Sequence, residues 1–182
     1  MSTWLSVPAL SGEKNKYIYR ITIKLDVMER DHQEISLFEK GGIVLAIPDV
    51  PDSEIPLGTR VKLMESAGLD GSVKPALRAD EDAIADAIGP DYRIVISAYI
   101  EPGTDGFWSY TYSPEDVGAY GYGRTIREAK NSLLDGIEMV KERYREMDDQ
   151  KMMPHSIRGD YRVEFDIQPS LRDYPDDLEI KK

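Results

Sequence analysis

The residues that could do chemistry in this chain are few. His32 and His155 are the only histidines, the one side-chain type that titrates near neutrality unaided. Neither has another ligand-type residue at a metal-binding spacing, so both read as surface histidines. There is no cysteine, which removes thiolate nucleophiles, disulfides and cysteine-bound zinc or iron–sulfur centres and fits a reducing compartment. No G-x-S-x-G, phosphate-binding loop or H-E-x-x-H occurs, and Gly121-Tyr122-Gly123 is too short for a dinucleotide fingerprint. Acid pairs such as Asp148-Asp149 and Asp176-Asp177 sit in a chain of 34 acidic against 23 basic residues, where they read as solvated faces. Scattered carboxylates holding magnesium in a nuclease are the one catalytic alternative. The expectation is a protein that is not an enzyme, with no catalytic residue, metal or cofactor.

Aromatic side chains are what the sequence offers instead. Trp108, Tyr110 and Tyr112 fall on alternate positions of one segment, and Tyr120 and Tyr122 repeat the spacing a little later. Such a row is either core beneath a helix or an exposed strip. Exposed, it would serve protein docking or base stacking. The elements around it decide between the two.

Those elements follow from periodicity. YRIVISAY (92–99) is a β-branched and aromatic strand, EPGTDG a turn, and FWSYTY (107–112) the returning strand. SPEDVG turns the chain again, and 119–123 allows only a short third strand. Thr125 and Glu128 have capping-box spacing. Ile126, Ala129, Leu133, Ile137, Val140, Tyr144 and Met147 then form one apolar stripe on a long helix. Tyr161, Val163, Phe165 and Ile167 alternate with polar residues in a last strand over 161–168. In this frame Trp108, Tyr110 and Tyr112 are core if the helix covers their face, and exposed if it covers the face of Phe107.

The remainder reads as β-rich. Residues 1–16 are an irregular N-terminus. The region 17–89 carries alternating strands at 17–27, 35–39 and 59–65, a continuously apolar strand at 43–47, and a short helix at 80–88. A sheet or small barrel of about four strands is the expected arrangement. Gly89-Pro90 marks the internal boundary, and the tail 169–182 is irregular. At 182 residues the chain suits one sizeable domain or two small ones sharing a core. The fold class is α+β.

The stretch 90–168 resembles the HicB-like antitoxin family: strand, glycine-bearing turn, aromatic strand, short strand, long helix, strand. The residues that carry the likeness are Pro114, Asp116 and Gly118 in the turn, then Gly123, Thr125, Glu128 and Ala129 at the helix start. The family's second turn proline is replaced by Asp116-Val117, and its frequent cysteine by Ala119. No C-terminal helix-turn-helix or ribbon-helix-helix segment is visible, so binding of operator DNA by this chain is not expected. GGIVLAIPDVPDS (41–53) superficially resembles the same turn, but no helix is read after it.

The resemblance implies a β-β-β-α-β unit and a non-catalytic module that neutralises a small, basic, RNA-cleaving toxin by covering it. Trp108, Tyr110, Tyr112, Tyr120 and Tyr122 are the candidate contact residues. A net charge of −11 suits a basic partner and disfavours direct contact with nucleic acid. Homo-oligomerisation is expected, through sheet edges in a module without a toxin partner. The polar start and the lack of an apolar run of spanning length predict no membrane association and a cytoplasmic location.

Overall fold

The continuously apolar run at 43–47 forms the largely buried third strand of the first sheet. β1 (Tyr19–Ile21), β2 (Ile35–Lys40) and β3 (Ile43–Pro48) pair antiparallel in that order, and Gly41-Gly42 closes the β2–β3 hairpin. The computed structural model describes residues 19–21, 34–50, 53–68, 88, 93–147 and 152–180. The N-terminal residues 1–16, most of the strand expected at 17–27, the helix expected over 80–87 and the boundary at Gly89-Pro90 lie outside them. Ile88 forms an isolated antiparallel bridge with Ile94.

The segment 59–65 is a helix and not a strand. α1 spans Leu57–Ser66. Val61 and Leu63 alternate as in a strand, yet Val61 is 49% exposed, and the buried positions are Thr59 and Ser66. A helix that buries hydroxyl groups lacks the apolar stripe by which helices are recognised. Its composition of Leu, Arg, Lys, Met and Glu does favour helix. The described N-terminal residues therefore form a three-stranded sheet and a helix, not a barrel, and a helix does follow the 41–53 turn.

The second sheet comprises β4 (Ile94–Pro102), β5 (Phe107–Ser113), β6 (Tyr120–Gly123) and β7 (Tyr161–Ile167), in the order β6-β5-β4-β7. β5 is antiparallel to both neighbours and β7 is parallel to β4. The two edge strands β6 and β7 thus run the same way, and the crossover between them is α2 (Ile126–Glu146). Its capping box is formed. Thr125 Oγ1 accepts the Glu128 N–H at 3.1 Å, and Glu128 Oε2 accepts those of Arg124 and Thr125 at 2.7 and 3.3 Å. Every member of the expected stripe through Tyr144 is buried, and Met147 packs at the core's margin.

α2 holds the two sheets together. Leu133, Ile137, Val140 and Tyr144 share one cluster with Leu37, Val44 and Ala46 of the first sheet and Ile96 and Ala98 of the second. Tyr144 Oη accepts the buried Val44 N–H at 3.1 Å, and Arg143 pairs with Glu39 at 2.8 Å. The tail contains one 3-10 turn at Pro169–Leu171. It lies along α2, with Leu171 buried, Tyr174 against Phe107, and Asp176 and Asp177 paired with Lys130 and Arg127 at 2.6 and 2.7 Å. Both acids stay exposed, at 44% and 64% of their side chains, as the solvated-face reading has it, and each is also ion-paired. Among the described residues no helix is long and apolar enough to cross a membrane.

Candidate functional site

α2 covers the Phe107 face of β5. Phe107 clusters with Ile126 and Ala129, and Ser109 Oγ–H donates to Ala129 O at 2.8 Å. The aromatic row is therefore on the opposite face, away from the long helix.

A single register row crosses that face. Tyr120 of β6 lies opposite Tyr110 of β5, Tyr110 opposite Tyr99 of β4, and Tyr99 opposite Asp166 of β7. In the next row Tyr122 faces Trp108, which faces Glu101. Opposed residues share a face of a sheet, so these side chains form one surface. α1 covers only part of it. Ser66 Oγ lies 2.6 Å from Tyr120 Oη and hydrogen bonds to Asp116, while Lys62 Nζ is 3.6 Å from Asp116. At its other end, the backbone N–H of Thr59 and its hydroxyl both donate to Glu101 Oε1, the latter at 2.6 Å. A carboxylate from β4 thus caps a helix whose own N-cap, Pro56, offers no side-chain acceptor.

The five expected contact residues divide. Tyr120, Trp108 and Tyr122 are core, at 1%, 2% and 8% exposure. Trp108 packs edge-on to Tyr122 with ring centroids 5.2 Å apart, and Tyr122 Oη–H donates to Asp105 O at 3.1 Å. Tyr110 is half-buried, and Tyr112, 40% exposed, donates its hydroxyl hydrogen to Asp166. Of the five, only Tyr110 and Tyr112 are not buried.

Both line an open groove of about 1030 Å³ between α1 and the sheet. Tyr99, Tyr110 and Tyr112 line it together with Glu65, Glu101 and Asp166, with Leu57 and Val61 of α1, and with Ile167, Pro169 and Arg172. Tyr99 and Tyr110 are tilted by 47° with centroids 5.8 Å apart. Burial, then the charge of Glu101, pushes the Tyr110 phenol up to about 12. The hydrogen bond to Asp166, then burial, raises that of Tyr112. Both phenols therefore stay protonated at neutral pH.

The motif residues serve as a joint between the sheets. The turn begins at Pro114, and Asp116 Oδ1 accepts the Gly118 N–H at 2.9 Å. Gly118 O accepts the Ala46 N–H at 2.8 Å, next to a parallel bridge between Ala46 and Ala119. Gly118 has φ +77°, and a Cβ there would lie 2.5 Å from Val44 O. Gly123 packs against Glu128 and Ala129 in the first turn of α2, leaving no room for a side chain. His155 is exposed, with Nδ1 4.0 Å from a Glu115 oxygen. His32 and Asp148-Asp149 fall outside the described residues. Among the described residues no group of three or more acidic or histidine side chains is placed to hold a metal ion.

Sequence reading did not find Tyr99, Glu101, Glu65 or Asp166. Tyr99 and Glu101 share a face by period two, a signal hidden by ending the strand at Tyr99 and starting the turn at Glu101. Glu65 and Asp166 join the site only through packing and parallel register. Compared with family models, curated proteins and solved structures, the chain finds no match in any of the three.

Proposed function

We propose that the chain is a non-catalytic binding protein whose working surface is the groove beside α1, and that its partner is a small basic protein. The observation that carries this is the groove itself: tyrosines and carboxylates brought together on the sheet face that the long helix leaves free. Aromatic anchors with an acidic surround suit a cationic protein surface, and the net charge of −11 would speed encounter with it. The resemblance of residues 90–168 to HicB-like antitoxins supplies the partner class, an RNA-cleaving toxin neutralised by direct binding. Co-expression with the product of the adjacent gene tests this. A stable complex that no longer cleaves RNA is expected; a neighbour that is not small and basic, or that does not bind at micromolar concentration, refutes it.

A second proposal has its own observation. β7 is the last strand of its sheet, and among the described residues nothing pairs with its outer edge. Unpaired strand edges template self-association, so the module would form homo-oligomers there. Sedimentation showing only monomer at high micromolar concentration would overturn it.

A further inference from the structure

We infer that the groove between α1 and the sheet takes the guanidinium of an arginine side chain presented by the partner, held between tyrosine rings and carboxylates. The inference rests on the proposal that the partner is a basic protein and names the group on it that is recognised.

The first ground is charge. Glu65, Glu101 and Asp166 oppose two cations, Lys62 and Arg172, along the groove. Lys62 lies 3.8 Å from Glu65 and 3.6 Å from Asp116, so it and Glu65 pair within the protein and Glu101 and Asp166 remain against Arg172. Asp166 accepts from Tyr112 and Glu101 accepts through Oε1 from Thr59. An ionised carboxylate has about four acceptor positions, so both retain capacity for an incoming donor.

The second ground is shape. Tyr99 and Tyr110 present tilted ring faces, and Tyr112 stands 40% exposed beside them. A planar, weakly hydrated cation stacks on such faces while its edge donates in a fork to carboxylates. Lysine ammonium is compact and strongly hydrated and uses the rings less well. The third ground is the apolar border. Leu57 and Val61 are 67% and 49% exposed at the groove's lip, where they would meet an apolar residue flanking the arginine. A free small cation would leave them uncovered.

The test uses the full chain and three pentapeptides, Leu-Gly-Arg-Gly-Leu and its lysine and citrulline analogues, blocked at both ends, in physiological salt. Tyrosine ring signals are followed by NMR. The arginine peptide is expected to shift the signals of Tyr99, Tyr110 and Tyr112 saturably, binding at least fivefold tighter than the lysine peptide, with no effect from citrulline. Tyr112→Ala and Asp166→Asn, both on exposed side chains and checked for unchanged thermal unfolding, are expected to weaken binding about tenfold. Equal binding of all three peptides, or shifts confined to another surface, overturns the inference. The same variants tested against the basic partner protein separate the two proposals. If the complex forms with unchanged affinity, the groove assignment fails and the binder stands; if wild type forms no complex, both fail.

Discussion

Gly118 concentrates several constraints in one residue. Its φ of +77° is a conformation that side chains disfavour, and a Cβ would lie 2.5 Å from the Val44 carbonyl oxygen. Its own carbonyl receives the Ala46 N–H that ties the first sheet to the second. Gly118→Ala should therefore destabilise by about 2–4 kcal/mol, combining backbone strain with displacement of β3. Urea unfolding would measure this, and a loss below about 1 kcal/mol would show that β3 yields freely. The spacing of Pro114, Asp116 and Gly118 marked a turn from sequence alone. That the turn also joins two sheets was not legible, because Val44 and Ala46 are some 70 residues away and nothing local records the meeting.

At the scale of elements the two helices contrast. α2 carries its own instructions, with Thr125 and Glu128 as reciprocal caps and an apolar stripe at spacings of three and four. α1 depends on Glu101, which caps it from 42 residues away in sequence, and on Asp116, which binds Ser66 at its far end. Glu101→Ala is expected to cost about 1–2 kcal/mol, concentrated in α1. Hydrogen exchange should show faster exchange at Thr59 and the next turn, with α2 amides unchanged. Uniform acceleration across both helices would contradict a local cap. Thr125→Ala should cost about 1 kcal/mol in the opposite pattern, fraying the start of α2. Residues 59–65 read as a strand because the positions α1 buries are Thr59 and Ser66, whose hydroxyls find carboxylates that only the folded chain supplies.

For the whole molecule, the contact between Tyr144 and Val44 links the C-terminal half of α2 to the first sheet. Burial pushes the Tyr144 phenol up from its ordinary 10.0 to about 12. A group whose folded pKa is raised contributes stability that is fully present below its unfolded pKa and lost as pH rises through the folded one. The window for Tyr144 is accordingly pH 10 to 12. Two units correspond to roughly 3 kcal/mol lost across it, to which Tyr110, also raised to about 12, adds in the same direction. Tyr144→Phe should be less stable at neutral pH by about 1–3 kcal/mol, since the buried Val44 N–H loses its acceptor. Its stability should fall less steeply above pH 10. Parallel wild-type and variant curves through that range would show that Tyr144 ionisation is not linked to folding.

By itself the sequence determined the α+β class, the hairpin of β4 and β5, the capped helix α2 and its buried stripe, and the strand β7. Each of these is written in residues within one helical turn or one strand repeat of each other, so local periodicity and capping suffice. Tertiary structure alone decided which face of β5 the long helix covers. With that it sorted the aromatic residues: Trp108, Tyr120 and Tyr122 became core, while Tyr110 and Tyr112 joined Tyr99 and three carboxylates in a groove. The physical reason is that alternation along a strand separates two faces without naming them. Only the register of β4, β5, β6 and β7, and the docking of α1 through Glu101 and Asp116, assigns one face to α2 and divides the other between α1 and the groove.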